Sequence, residues 1–141
     1  MKTIAVISQK GGAGKTTMAI NLAVAAEMLG HSAVIIDLDP QASSKSWHDI
    51  RGSDKPAVIS AQASRLPNIL ETARKHGAAL VIIDTAPHSE TTALESARAS
   101  NIVLIPCRPS LLDLRAINTS CDLAALSKTP AIAVLNAVPS R

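Results

Sequence analysis

At 141 residues, 47% of them hydrophobic, the chain suits one domain with enough length for a sizeable core. Its formal net charge is +3, from 14 basic residues against 11 acidic ones, and Arg74-Lys75 is the only adjacent basic pair, so no basic tract announces a nucleic-acid-binding arm. No run approaches the roughly 18 consecutive apolar residues that a membrane-spanning helix requires, and the N-terminus reads as strand rather than secretory leader, so the expectation is a cytoplasmic protein.

Trp47 is the sole aromatic residue, so the core has to be built from Ala, Val, Ile and Leu, as in a parallel sheet buried between helices. Strand-like apolar runs fall at Lys2–Ser8, Ala33–Leu38, Ala57–Ile59, Ala79–Asp84, Ile102–Pro106 and Ala131–Asn136. Helical patterns fall between them, at Lys15–Leu29, Leu66–His76, Glu90–Ala99 and Leu112–Leu126. In the first helix Leu22, Ala23, Ala26 and Leu29 form the expected buried stripe, with Gly30 placed to end it. Pro67 at the start and Gly77 at the end bracket the second. Alternation of strand and helix predicts an α/β fold, a mostly parallel sheet covered on both faces. Cys107 and Cys121 make no C-x-x-C pair and are expected to be buried thiols; Trp47 is expected to pack rather than bind. His31, His48, His76 and His88 have no metal-ligand spacing.

Between the first strand and the first helix lies Lys10-Gly11-Gly12-Ala13-Gly14-Lys15-Thr16-Thr17. A glycine-rich turn entering a helix aims several backbone N–H groups and a helix N-terminus at one point, where phosphate can sit. Lys15 is placed for the β- and γ-phosphates and the Thr16 hydroxyl for Mg²⁺, which makes this a nucleoside triphosphate site. The first glycine of the usual G-x-x-x-x-G-K-[ST] pattern is replaced by Gln9, and a second lysine, Lys10, opens the loop. Two carboxylates, Asp37 and Asp39, end the second strand in Asp37-Leu38-Asp39-Pro40-Gln41, and Asp84 ends the apolar run Leu80–Ile83. Carboxylates at strand ends lie where open α/β sheets bind ligands.

The K-G-G-x-G-K-T-T loop resembles the deviant P-loop of the ParA/MinD family of ATPases, and D-x-D-P-Q, the Asp84-Thr85-Ala86-Pro87 turn, Pro109-Ser110-Leu111-Leu112-Asp113 and Val134-Leu135-Asn136 extend the likeness over nearly the whole chain. The resemblance implies a P-loop NTPase three-layer sandwich, one domain over residues 1–141 that lacks the family's C-terminal part, with Ser140-Arg141 coming just after a predicted core strand. It implies ATP and Mg²⁺ as cofactors, with Lys10, Gly11, Gly12, Ala13, Gly14, Lys15, Thr16 and Thr17 around the phosphates and Asn136 at the adenine. Thr16, Asp37 and Asp84 would act around the metal, and Asp39 would orient the attacking water. Lys10 would reach the nucleotide of a second subunit, closing a sandwich dimer.

The implied function is a partitioning or positioning ATPase of the ParA type, carried on non-specific DNA and stimulated by a ParB-like or cargo-adaptor protein. Two other readings stay open on the same scaffold. A membrane-cycling regulator like MinD would need an amphipathic anchoring helix, which these residues do not contain. An ATP-dependent metabolic enzyme would need a substrate constellation beyond the phosphate loop, and none stands out in the sequence.

Overall fold

Alternation within the strands determines how the layers form. The computed structural model describes residues 1–138; Ser140 and Arg141, where truncation was expected, lie outside the described residues. Six strands, β1 (Lys2–Val6), β2 (Ala33–Asp37), β3 (Ala57–Ser60), β4 (Leu80–Asp84), β5 (Ile102–Cys107) and β6 (Ala131–Leu135), form one sheet in the order β3-β2-β4-β1-β5-β6. Every pairing is parallel. Five α-helices lie between them: α1 (Lys15–Met28), α2 (Ser43–Arg51), α3 (Leu66–Lys75), α4 (Glu90–Arg98) and α5 (Leu111–Ser127).

Odd and even strand positions serve opposite faces. Ala5, Ile7, Ile36, Val81, Ile83, Val103 and Ile105 pack in one cluster with residues of α3, α4 and α5. Val6, Ile35, Ile82 and Val58 pack on the other with Ala19, Ala23 and Ala26 of α1 and with Trp47 of α2. The result is the expected three-layer α/β/α sandwich of the P-loop NTPase type. From β1 the chain runs outward to β2 and β3, returns through β4, and crosses to β5 on the far side of β1. The carboxyl end of β1 therefore lies at the point where strand order reverses, the place where open α/β sheets bind ligands.

Pro106 sits inside β5, an internal strand. The Val103 N–H bonds to the Pro130 carbonyl, so the backbone polar groups of 103, 105 and 107 face β6 and those of 104 and 106 face β1. The β1 ladder stops at Leu104: the Ile7 N–H still donates to the Leu104 carbonyl, and the next bond in the parallel pattern would need the N–H that Pro106 lacks.

Three expectations need correction. In α1 the buried positions are Lys15, Ala19, Ala23 and Ala26, while Leu22 is half-buried and Leu29 is 75% exposed. Apolar residues run all round this helix, and the small ones face the sheet because they let the backbone approach it. Cys107 is buried as expected, but Cys121 is exposed on α5. Helix α2 has no counterpart among the predicted elements; its cause lies in the site.

Candidate functional site

Gly12 and Gly14 adopt φ of +74° and +100°, backbone that a β-carbon resists, and Gly14 opens α1. The loop they shape walls a cavity of about 440 Å³ at the carboxyl edge of the sheet. Gly11, Gly12, Gly14, Lys15, Thr16 and Thr17 line it, together with Asp39 and Asn136, while Lys10 and Ala13 are not part of its wall. Ser43, Pro87 and Arg108 also line it, and sequence reasoning gave none of them a role. Arg108 follows directly on β5, and its guanidinium comes within 3.9 Å of where a β-carbon on Gly12 would lie.

Lys15 is buried, and its Nζ donates to the carbonyls of Ser8 (3.1 Å) and Lys10 (3.3 Å). Burial lowers its pKa, against the opposing pull of Asp84 and Asp39. One ammonium donor is thus left over from the loop's own carbonyls. Lys10 turns the other way. Its Nζ meets Asp113 Oδ1 at 2.5 Å, and the buried Asp113, in the first turn of α5, also accepts from the hydroxyl of Ser110, the residue that caps this helix. The Lys10 contact, then the Ser110 hydroxyl, hold the Asp113 carboxyl below its usual pKa. Ser120, also on α5, accepts from the Gln9 N–H, so one helix braces the start of the loop at two points.

Behind the cavity stand Asp37 and Asp84, adjacent across β2 and β4 and both fully buried. Asp37 does not reach the cavity wall: Oδ1 accepts from the Asp39 N–H, and Oδ2 accepts from the N–H groups of Ser44 and Lys45. These two donors belong to the first turn of α2, whose own preceding residue, Ala42, supplies no side-chain cap. A carboxylate satisfies exposed helix N–H groups and complements the positive end of the helix dipole. Helix α2 is therefore capped by a strand residue seven and eight positions upstream of its donors rather than by an adjoining one, which is why local pattern missed it. Burial still raises the Asp37 pKa, the three N–H contacts opposing it.

Asp84 is pushed up to about 6, chiefly by burial, while the neighbouring Thr16 and Ser44 hydroxyls act to lower it. Ser44 Oγ donates to Asp84 Oδ2 at 2.8 Å, whereas Oδ1, also buried, has no hydrogen-bond partner among the described residues. An orphaned carboxylate oxygen beside a threonine hydroxyl fits a hard divalent cation such as Mg²⁺. Among the described residues no three His, Cys, Asp or Glu side chains could hold an ion unaided, so its other ligands would be phosphate and water.

Asp39, half-buried, directs Oδ1 to the Gln41 N–H at 2.9 Å. Asn136 lies against the loop: Nδ2 donates to the Ala13 carbonyl at 3.1 Å, and Oδ1 accepts from the Ala137 N–H. A β-carbon on Gly14 would collide with that amide nitrogen.

The sequence profile of the CobQ/CobB/MinD/ParA nucleotide-binding domain matches residues 4–141. The chain is 35% identical over 127 residues to the maintenance of carboxysome distribution protein A of Gloeobacter kilaueensis, covering 89% of this chain and 57% of that protein. It is 34% identical over 131 residues to the chromosome partitioning protein ParA of Caulobacter vibrioides, covering 79% and 49%. The chain thus spans about half the length of the curated relatives it matches. Cobyrinic acid a,c-diamide synthase of Mycobacterium smegmatis, solved with a bound ATP analogue and magnesium, shares the fold at TM-score 0.74 and 19% identity, over 94% of this chain and 74% of that one.

Proposed function

The chain belongs to the CobQ/CobB/MinD/ParA nucleotide-binding family, and from that premise we propose that it works as a ParA-type ATPase whose hydrolysis cycle is completed by a second subunit. The observation that carries this reading is the division of labour between its two loop lysines. Lys15 lines the phosphate cavity, while Lys10, 41% exposed, points out of it to Asp113. A cation at the mouth of a phosphate site, not used by that site, suits a nucleotide presented by another copy. There it would offset charge developing on the transferred phosphoryl group, as an arginine finger does in trans.

Within one subunit, Gly11, Gly12, Ala13, Gly14, Thr16 and Thr17 offer backbone N–H groups to the phosphates, and Lys15 exchanges its carbonyl partners for phosphate oxygens. Thr16 Oγ1 would hold Mg²⁺ directly, and Asp84 would act through Oδ1 on the metal or its waters. When bound, the metal would neutralise phosphate charge and align the leaving group. Asp39 orients the attacking water, its backbone fixed by Asp37, which supports the metal region from behind. Asn136 meets the adenine once its amide leaves Ala13.

ATP-bound dimers would hold DNA through phosphate contacts, in the cytoplasm and on the nucleoid, until a ParB-like or cargo-adaptor protein stimulates hydrolysis. The test is binding to non-specific duplex DNA with ATP and with ADP across a salt series. Binding with ATP alone, falling steeply as salt rises, supports the reading. Failure to bind in both states removes the DNA-based function and leaves membrane surfaces or a small-molecule substrate as the targets.

A further inference from the structure

We propose that Ser44 is a positioning residue for the metal: its hydroxyl fixes the Asp84 carboxylate so that Oδ1 stays turned toward the cation, and it ties helix α2 to the occupied site. The inference rests on the reading of this cavity as a Mg²⁺-nucleotide site.

Ser44 is fully buried and touches both strand-end carboxylates. Its N–H donates to Asp37 Oδ2 at 3.0 Å and its Oγ donates to Asp84 Oδ2 at 2.8 Å. Asp37 and Asp84 are register partners on neighbouring strands, so the first turn of α2 bridges the ends of β2 and β4. A carboxylate has two equivalent oxygens and rotates about one bond. Engaging Oδ2 with a buried hydroxyl breaks that equivalence and leaves Oδ1, buried and without a partner, as the oxygen available to a metal or its water.

The linkage extends to the reaction itself. Asp39 and Ser43 line the cavity on either side of the turn into α2, and Asp37, which receives the Ser44 N–H, also receives that of Asp39. Asp84 is thereby connected through Ser44 and Asp37 to the segment that carries Asp39, so a metal held at Asp84 would bear on that segment through these bonds. Nothing in the local sequence distinguishes Ser44 from Ser43 or Ser46; only the fold brings it to Asp84.

The experiment measures binding of a fluorescent ATP analogue to the parent, Ser44→Ala and Ser44→Thr chains, first in EDTA and then as free Mg²⁺ is raised. Ser44→Ala should need about tenfold more Mg²⁺ for half-effect, as loss of an outer partner of a metal ligand typically costs. Its binding without Mg²⁺ should equal the parent's, and Ser44→Thr should restore the parent's Mg²⁺ dependence. In an Asp84→Asn background, Ser44→Ala should add no further shift. Unchanged Mg²⁺ dependence in folded Ser44→Ala overturns the proposal, and so does an equal loss of binding with and without Mg²⁺. Should Ser44→Ala fail to fold, Ser44→Cys keeps the volume with only a weak donor and carries the same comparison. If the parent itself shows no Mg²⁺-dependent nucleotide binding, it is the reading of the cavity that fails, before Ser44 is reached.

Discussion

Lys10 Nζ and Asp113 Oδ1 lie 2.5 Å apart, joining the first residue of the phosphate loop to the first turn of α5. The pair occupies the same lysine that the proposed cycle sends to a second subunit, so forming the dimer requires breaking it. Asp113→Asn weakens the hold while keeping an acceptor for Ser110. The expected outcome is stronger ATP-dependent self-association than the parent shows at equal concentration, read by sedimentation.

Stability of the nucleotide-free chain carries a signature of Asp84. Its pKa rises from 3.8 to about 6 on folding, so between those values the folded chain holds a proton that the unfolded chain has released. Stability from this group is therefore greatest below about pH 4 and declines as pH rises toward 6, a span worth about 3 kcal/mol. Asp37, raised as well, adds to the decline. Asp84→Asn should flatten this slope and stabilise the nucleotide-free chain at pH 7 by about 2 kcal/mol. Denaturant unfolding of both chains at pH 5 and pH 7 tests it.

Ala42 enters α2 at φ 49°, a left-handed conformation in a residue with a β-carbon. That geometry costs about 1–2 kcal/mol, and glycine would recover it at an entropic cost of about 0.4–1 kcal/mol in the unfolded chain. Ala42→Gly is thus expected to be stabilising by about 0.5–1 kcal/mol, visible as a thermal midpoint raised by about 2–4 °C.

Two glycines of one loop should respond oppositely to the same change. A β-carbon on Gly11 meets nothing within 4 Å, and Gly11→Ala should retain the fold. On Gly14 it meets the Asn136 amide at φ +100°, so Gly14→Ala should lower both thermal stability and binding of a fluorescent ATP analogue. Adding Asn136→Ala relieves the collision but not the backbone strain, and should recover only part of the stability.

The phosphate loop was legible because its glycines, its lysine and its threonine have to be consecutive in sequence to work together in space. Strands β2 and β4 were legible for a similar reason, since four apolar residues ending in a carboxylate leave little else to be. Helix α2 was not, because Ser43–Arg51 is polar and its cap, Asp37, comes from β2. Asp37 itself was expected among the metal's waters; its placement behind the wall follows from that same cap. The buried side of α1 was misjudged at Leu29 because apolarity on all sides gives periodicity nothing to detect. Arg108 and Ser44 carried no signal, as each gains meaning only from a neighbour more than 35 positions distant.

Asp39→Ala should leave nucleotide binding and dimer formation in place but stall hydrolysis, so that its dimer outlasts the parent's in excess ATP. Decay of the dimer after mixing, followed by light scattering, gives the comparison. Loss at the parent's rate would count against Asp39 as the residue that orients water.

The most direct measurement is the sedimentation of parent and Lys10→Ala chains with Mg²⁺ and either ATP or ADP, alongside binding of a fluorescent ATP analogue to each. The parent should be monomeric with ADP and dimeric with ATP, while Lys10→Ala binds the analogue as the parent does yet stays monomeric. Equal ATP-dependent dimerisation of the two chains would contradict a role for Lys10 in the partner's site.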